Sequence, residues 1–490
     1  MRMRNHVCSP ITQSPRWLIL SLVSIGTLMS TLDASIVSVA MPTLTAAFRT
    51  TVSTSQWFVL AYTSVVTVLL LTSGRLCDIV GRRRLYLWGI LVFTAGSLAC
   101  GLSVSAMMLI AARGFQAVGA SVMMSGGPAL VTDAFPPQQR GRSLGFVGSS
   151  VALGLLAGPL VGGVIIQYLS WHWMFFINVP IGLALAALMT ARVRGLDEAG
   201  NGQLDLAGAV LMAGSVAALL AGLSRGQHAG WVSPGTIALL AACSVLGAGF
   251  VFYESRITDP LLRLALFRHR DFAVGAVTGW ANYAATSPLP VFIPFYLQNT
   301  LGYDPRRVGV VLAFGPLTLA LVAPVAGTLS DRIGSRLLTF VGLSIAGVGI
   351  LCVRTLGPGS GMIDVVWRLV LVSLGSAIFV SPNSSSVMGS VAREELGVAG
   401  GVVALVRNLG MMSGVALAGS IITTLQKTYT ATGEIGRGVA FADLAFLHGL
   451  RAALLTCAAI VFAGALLCTL RVQPNEHSPI PSEPVPHREH

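Results

Sequence analysis

Fourteen apolar runs divide this chain, at 17–41, 56–76, 85–104, 106–130, 142–168, 173–192, 204–222, 235–254, 271–297, 307–328, 337–354, 363–388, 397–425 and 447–470. A helix needs about 20 predominantly apolar residues to cross a bilayer, and these runs cluster around that length. Hydrophobic residues make up 54% of the 490 and charged residues 10%, which leaves too little polar surface to enclose a water-soluble core. The runs are therefore expected to be membrane helices, with those near 25 residues tilted or bent. Arg2, Arg4 and Arg16 precede the first run as they would a secretory signal. That run contains Asp33 and is too long for a signal's apolar region, so it is expected to remain as the first span.

The net charge of +12 could suggest nucleic acid. The basic residues instead punctuate the apolar runs, the pattern of topology signals, and no nucleic-acid partner is expected. Counting residues near span ends with the adjoining loop, the N-terminal-side loops and both tails hold 20 of the 31 basic residues, the opposite loops hold 8, and Arg113, Arg368 and Arg407 fall within spans. An even number of spans with this bias predicts a multi-pass protein of the cell membrane with both termini in the cytoplasm. The seven cysteines form no C-x-x-C pair and lie mostly in apolar stretches; they read as packing residues, with no metal site expected. The Pro-rich polar tail 471–490 is expected to be disordered.

A short polar phrase occurs twice. Gly74-Arg75-Leu76-Cys77-Asp78-Ile79-Val80-Gly81 precedes Arg82-Arg83-Arg84, and Gly327-Thr328-Leu329-Ser330-Asp331-Arg332-Ile333-Gly334 precedes Ser335-Arg336. Both read G-x-L-x-D-x-x-G, 253 positions apart, and each joins two apolar runs. The offset pairs spans 2–3 with 10–11, and a similar one pairs Arg113…Gly119 with Arg368…Gly375. Two six-helix halves are expected, 1–195 and 257–470, with spans 7 and 8 as an inserted pair in 196–256. Repeated halves enclosing a midplane site are a common transporter plan.

These segments resemble the major facilitator superfamily, and within it the fourteen-helix drug:proton antiporters. Gly74 to Arg84 is similar to the superfamily's loop 2–3 motif, and Leu32 to Pro42 to the span-1 motif of this antiporter family. Arg113-Gly114-Phe115-Gln116-Ala117-Val118-Gly119 resembles the span-4 arginine motif. Gly154, Gly158, Pro159, Gly162 and Gly163 match the span-5 antiporter motif. Trp171 to Pro180 resembles the start of span 6, departing at His172 where the family usually has arginine, and Glu254 to Phe272 resembles the entry to span 9. The resemblance covers nearly the whole chain. It implies an all-α polytopic membrane protein with the major facilitator fold: two six-helix pseudo-repeat bundles plus two inserted helices, fourteen transmembrane helices in all.

Asp33 is the one acidic residue placed deep within a span. A carboxylate in hydrocarbon is costly and tends to face a cavity and act there. Burial favours the neutral carboxyl and a nearby arginine favours the carboxylate, so a group moved between those environments can take up and release a proton. Helical rise places Asp33 roughly 12 Å and Arg113 roughly 10 Å below the outer ends of their spans, so the two are expected to meet as a proton-coupling pair. The resemblance implies that the hairpin built by Gly74, Asp78, Gly81 and Arg82, with its copy at Gly327, Asp331 and Gly334, latches the two halves. The first copy, with its three arginines, is expected to carry more of the gating. Gly158-Pro159 and the surrounding glycines are expected to form a flexible seam against span 10, which carries Gly315-Pro316.

Span 9, with Trp280, Asn282, Tyr283, Pro288, Pro290 and Pro294, is expected to be irregular and to line the substrate cavity. Gln56, Tyr62, Gln116, Phe115, Asn383 and Arg407 are further cavity candidates. Arg407, roughly 15 Å inside span 13, has two open readings: bonding to Asn383, Asn408 or backbone carbonyls, and binding of an anionic substrate group. The single lysine, Lys427, follows Gln426 rather than glycine, so no P-loop exists and no cofactor or ATP site is expected. The proton gradient is the expected energy source. Together these features predict a monomeric, non-enzymatic, proton-coupled exporter of small hydrophobic drugs or antibiotics working by alternating access in the lipid bilayer. Export of an endogenous lipid, siderophore or peptide is the alternative on the same fold, and a non-transporting membrane sensor is a third.

Overall fold

A computed structural model of the chain describes residues 16–193, 205–257, 264–391, 396–432 and 439–470. The expected disorder of 471–490 lies outside the described residues. The principal helices are α1 (Arg16–Ala47), α2 (Trp57–Val80), α3 (Arg82–Gly101), α4 (Ala106–Ala134), α5 (Pro137–Tyr168), α6 (Asn178–Arg192), α7 (Leu206–Ala229) and α8 (Pro234–Glu254). They continue with α9 (Arg270–Thr286), α10 (Pro305–Ile333), α11 (Ser335–Arg354), α12 (Met362–Gly389), α13 (Leu396–Thr432) and α14 (Val439–Cys468). Single helical turns at Val52–Ser55 and Trp173–Phe176 lead into α2 and α6. No strand occurs among the described residues.

Thirteen of the fourteen runs form helices long and apolar enough to cross a membrane. The ninth is broken into α9, a Pro288–Phe295 helix and a π turn at Tyr296–Thr300. Pro288, Pro290 and Pro294 cannot donate the backbone bonds of a continuous helix, which gives the irregular ninth span that the prolines predict. Starts of other helices follow local chemistry. Ser105 accepts from the Met108 amide at 3.2 Å to begin α4. Asp304 accepts from the Arg307 amide at 2.8 Å, with Pro305 as the first residue of α10; a short side-chain acceptor before proline satisfies an orphan amide and pre-sets the helical φ.

The repeated phrase produces the same joint twice. Gly81 alone separates α2 from α3 and Gly334 alone separates α10 from α11, with φ of 103° and 85°. Each amide closes the preceding helix, to the Cys77 carbonyl at 3.2 Å and the Ser330 carbonyl at 2.9 Å. A side chain at either position would be strained in this backbone conformation. The following helix pairs also cross alike. A methyl on Gly89 would lie 3.2 Å from the Gly119 carbonyl, and one on Gly342 would lie 2.8 Å from the Gly375 carbonyl, so both crossings bring backbone against backbone.

Helices α1–α6 pack into one bundle and α9–α14 into another. The bundles touch along α5–α10 and α2–α13, and α1 meets the Pro288–Phe295 segment. These contacts lie toward the face away from the start of α1 and the end of α14. There Gly163 abuts Pro305 and Arg306, Gly309 abuts Pro159, Ser64 contacts the Met412 sulfur at 3.2 Å, and Gln298 donates to the Val39 carbonyl at 3.3 Å. Toward the opposite face α5 and α10 diverge: a methyl added to Gly145 or Gly148 would meet no other element within 4 Å, and Leu321, Val325 and Leu329 are exposed. Helix α7 lies against α2 and α13, with α8 packed outside it. Only 11% of the apolar window of α8 is buried by protein, so most of that helix presents an apolar surface suited to lipid.

Candidate functional site

Asp33 is fully buried midway along α1. Its Oδ2 accepts from the Arg113 guanidinium at 2.5 Å. Its Oδ1 accepts from the Gln116 amide at 2.9 Å and the Asn178 amide at 2.8 Å. Arg113 and Gln116 share a face of α4 because they are three residues apart, and Arg113 also donates to the Gln116 Oε1 at 2.7 Å. Two further donors are engaged: Arg113 Nε reaches the Phe58 carbonyl at 3.1 Å, and Gln116 Nε2 reaches Ser97 Oγ at 2.7 Å. The guanidinium carbon stands 4.2 Å from the centre of the Tyr62 ring. Five helices thus close a polar knot inside an apolar bundle. A buried ion pair is tolerable only when its remaining lone pairs and protons are satisfied in this way.

Asn178, Ser97 and the Phe58 carbonyl are partners that reading the sequence did not single out. Asn178 lay within the recognised span-6 segment. Amides and hydroxyls are frequent in the spans, and only the helix packing selects the ones facing Asp33. Gln116 was expected at the substrate cavity and belongs instead to this knot, with no exposed surface.

A cavity of about 330 Å³ lies between the bundles, next to the knot. Ser35, Tyr62 and Arg113 form part of its first wall, and Asn282, Tyr283 and Ser376 part of the facing one. The broken ninth span contributes Pro290 to the lining. No aspartate or glutamate lines it: Arg113 reaches the wall, and Asp33 sits behind it.

Several cavity candidates lie elsewhere. Gln56 is buried where α13 approaches α2, against Gly419. Trp280 is on the periphery, its indole donating to Ser413 Oγ at 3.1 Å, and Phe115 is 49% exposed on the outside of α4. Asn383 and Arg407 border a separate cavity of about 30 Å³. Asn383 donates to the Gly275 carbonyl at 3.2 Å and accepts from Thr278 at 3.4 Å, so α9 and not Arg407 takes its amide.

The span-5 motif packs differently from the expected seam. Gly154, Gly158 and Gly162 face Thr31, Ser35 and Ile36 of α1, within the same half, and Ser35 donates to the Gly154 carbonyl at 3.0 Å. Pro159 and Gly163 are the members that meet α10, through Gly309, Pro305 and Arg306. Gly315 and Pro316 line the cavity.

In the hairpins, Gly327 approaches Ser381, whereas a methyl on Gly74 would find only ordinary contact with Ser125 at 3.9 Å. Close approach therefore does not require glycine at position 74 in this conformation. Arg82 pairs with Asp133 of its own half, 2.5 Å apart. The side chains of Asp78 and Asp331, which the latch invokes, lie outside the described residues.

The glycine crossings also correct the repeat alignment. Since Gly119 corresponds to Gly375, the counterparts of Arg113 and Gln116 are Leu369 and Val372, both buried and both on the cavity wall. Arg368 is one position away and pairs with Asp364 of its own helix at 3.2 Å. The ion pair thus has no counterpart at the matching positions of the second bundle.

Comparison with known proteins agrees with this architecture. The model of the Major Facilitator Superfamily matches residues 23–415 and 275–488. The riboflavin transporter RibZ of Clostridioides difficile (strain 630) is 35% identical over 404 residues, covering 82% of this chain and 87% of its own. The tetracenomycin C resistance and export protein of Streptomyces glaucescens is 32% identical over 412 residues, covering 83% and 76%. The crystal structure of a bacterial homologue of the human lysosomal transporter Spinster, in an inward-facing and unoccupied conformation, superposes with a TM-score of 0.69 at 15% identity, covering 93% of this chain and 96% of that one. With its two helical bundles, the cavity between them and a family match across most of its length, this chain belongs to the major facilitator superfamily and is a membrane-spanning transporter.

Proposed function

We propose that the chain exports hydrophobic drugs or antibiotics in exchange for protons, with both termini in the cytoplasm. The observation that carries this reading is the sealed Asp33–Arg113 pair at the edge of a predominantly apolar cavity. Protonation of Asp33 cancels the charge that holds Arg113, and the freed guanidinium already borders the cavity. Substrate occupancy and protonation then act on the same side chain, which is the requirement for exchanging one for the other. With cytoplasmic termini, the contacts at the far face close the outside and the divergence of α5 and α10 opens the cavity inward, so this is the substrate-loading conformation. One proton moving down 100 mV supplies about 2.3 kcal/mol. Similarity to a tetracenomycin C resistance and export protein supports the direction and the substrate class.

The similarity to a riboflavin transporter favours a second reading, in which the same machinery exports a metabolite of the cell. Transport assays across drug and metabolite panels separate the two. The test of the coupling is Asp33→Asn in proteoliposomes under an imposed pH gradient. Efflux driven by the gradient is lost while the variant still inserts and folds; full gradient-driven efflux by that variant overturns the role of Asp33.

A further inference from the structure

Two charged side chains border the cavities, and they differ in one respect. Arg113 is neutralised by Asp33. Arg407, at the small cavity, makes no hydrogen bond or ion pair among the described residues. The guanidinium stays protonated in proteins and carries five donors, and an unmatched charge at this depth in a span is costly. The structural partners available nearby do not relieve it. Asn383 is committed to Gly275 and Thr278 of α9. Asn408 is buried on another face of α13, and its own amide nitrogen has no partner. Arg407 also lies too far along α13 for its stem to carry the charge to the lipid headgroups.

The small cavity adjoins the large one, and Tyr283 and Val380 line both. A ligand in the main cavity meets apolar walls, hydroxyls and amides but no acidic side chain, and Asp33 is screened behind Arg113. Among the described residues, the charge left for a ligand to answer is therefore positive.

We propose that Arg407 anchors the anionic group of the substrate, a carboxylate, sulfonate, phosphate or phenolate, while the apolar body of the molecule occupies the main cavity. The preferred substrates are amphiphilic organic anions. This rests on the reading of the chain as an exporter of apolar compounds and narrows it.

Two probes with the same aromatic body test the inference: 1-anilinonaphthalene-8-sulfonate and the uncharged N-phenyl-1-naphthylamine. Binding is measured by fluorescence to the whole protein in phosphatidylcholine nanodiscs, with empty nanodiscs subtracted. The wild type is expected to bind the sulfonate more tightly. Arg407→Gln weakens the sulfonate roughly tenfold, as loss of a charge-assisted contact does, and moves the uncharged probe by less than about twofold; Arg407→Lys keeps the preference. Equal affinities in the wild type overturn the proposal, and that comparison needs no variant. So does a glutamine variant that binds the sulfonate unchanged, or one that loses both probes together, the mark of a structural role. Displacement of the sulfonate by added phosphatidylglycerol assigns the arginine to lipid and also overturns it. A wild type that prefers the sulfonate yet shows no gradient-driven transport sinks the exporter reading and leaves the anion site standing.

Discussion

Arg113 touches both Asp33, at 2.5 Å, and the wall of the cavity, while the side-chain hydrogen bonds of Asp33 among the described residues come from Arg113, Gln116 and Asn178. The cation thus stands between the buried carboxylate and the cavity. A ligand can influence the carboxylate without contacting it, by displacing or holding the guanidinium.

Breaking that pair from one side should be worse than removing it. Arg113→Leu leaves a buried carboxylate with two amide donors and no cation, a loss of about 3–5 kcal/mol. The double variant Asp33→Asn/Arg113→Leu should recover part of that loss. Thermal unfolding of the purified proteins measures both, and a double variant less stable than Arg113→Leu would contradict the pairing.

Asn178→Leu removes the 2.8 Å donor to Asp33. A hydrogen bond to a charged group contributes about 1.5–3 kcal/mol, and the expected destabilisation is of that size while Asp33 remains charged. Combined with Asp33→Leu, which deletes the acceptor, the added effect of Asn178→Leu should shrink. A double-mutant cycle in detergent shows whether the two substitutions are coupled.

Within the repeated hairpin, the two glycines should respond differently. Gly81→Ala forces a Cβ into a backbone with φ of 103° and is expected to cost about 1–3 kcal/mol. Gly74→Ala sits in a helix with room for the methyl and should be within about 0.5 kcal/mol of neutral. Melting temperatures of the two variants check this order, and Gly334→Ala should behave like Gly81→Ala.

The contact between Tyr168 and Arg306, 3.4 Å across the closed ends of α5 and α10, must open if access alternates. In a cysteine-free protein carrying Tyr168→Cys and Arg306→Cys, a reducible bifunctional thiol reagent should reduce transport to background. Reduction should restore it. Full transport with the bridge in place would mean that this seam never parts.

Much of the fold was legible because membrane helices announce themselves by length and composition, and because charges inside apolar runs are rare. That rarity is why Asp33 and Arg113 could be paired from depth alone. Asn178 and Ser97 lacked such a signal. The repeat alignment failed by one residue at Arg368, since the hairpins and the α4–α12 glycines do not share one offset. A one-residue shift turns a helix by about 100°, enough to exchange a cavity wall position for a partly buried partner of Asp364. The break in the ninth span was legible from its prolines; which of its polar residues reach the cavity depended on where the chain resumes after Ser287.

Helix α7 covers the line where α2 meets α13, and among the described residues no helix comparably spans α5 and α10. The two flanks of this transporter are therefore unlike. A molecule approaching from the surrounding leaflet would meet one seam covered by α7 and the other with no described helix over it.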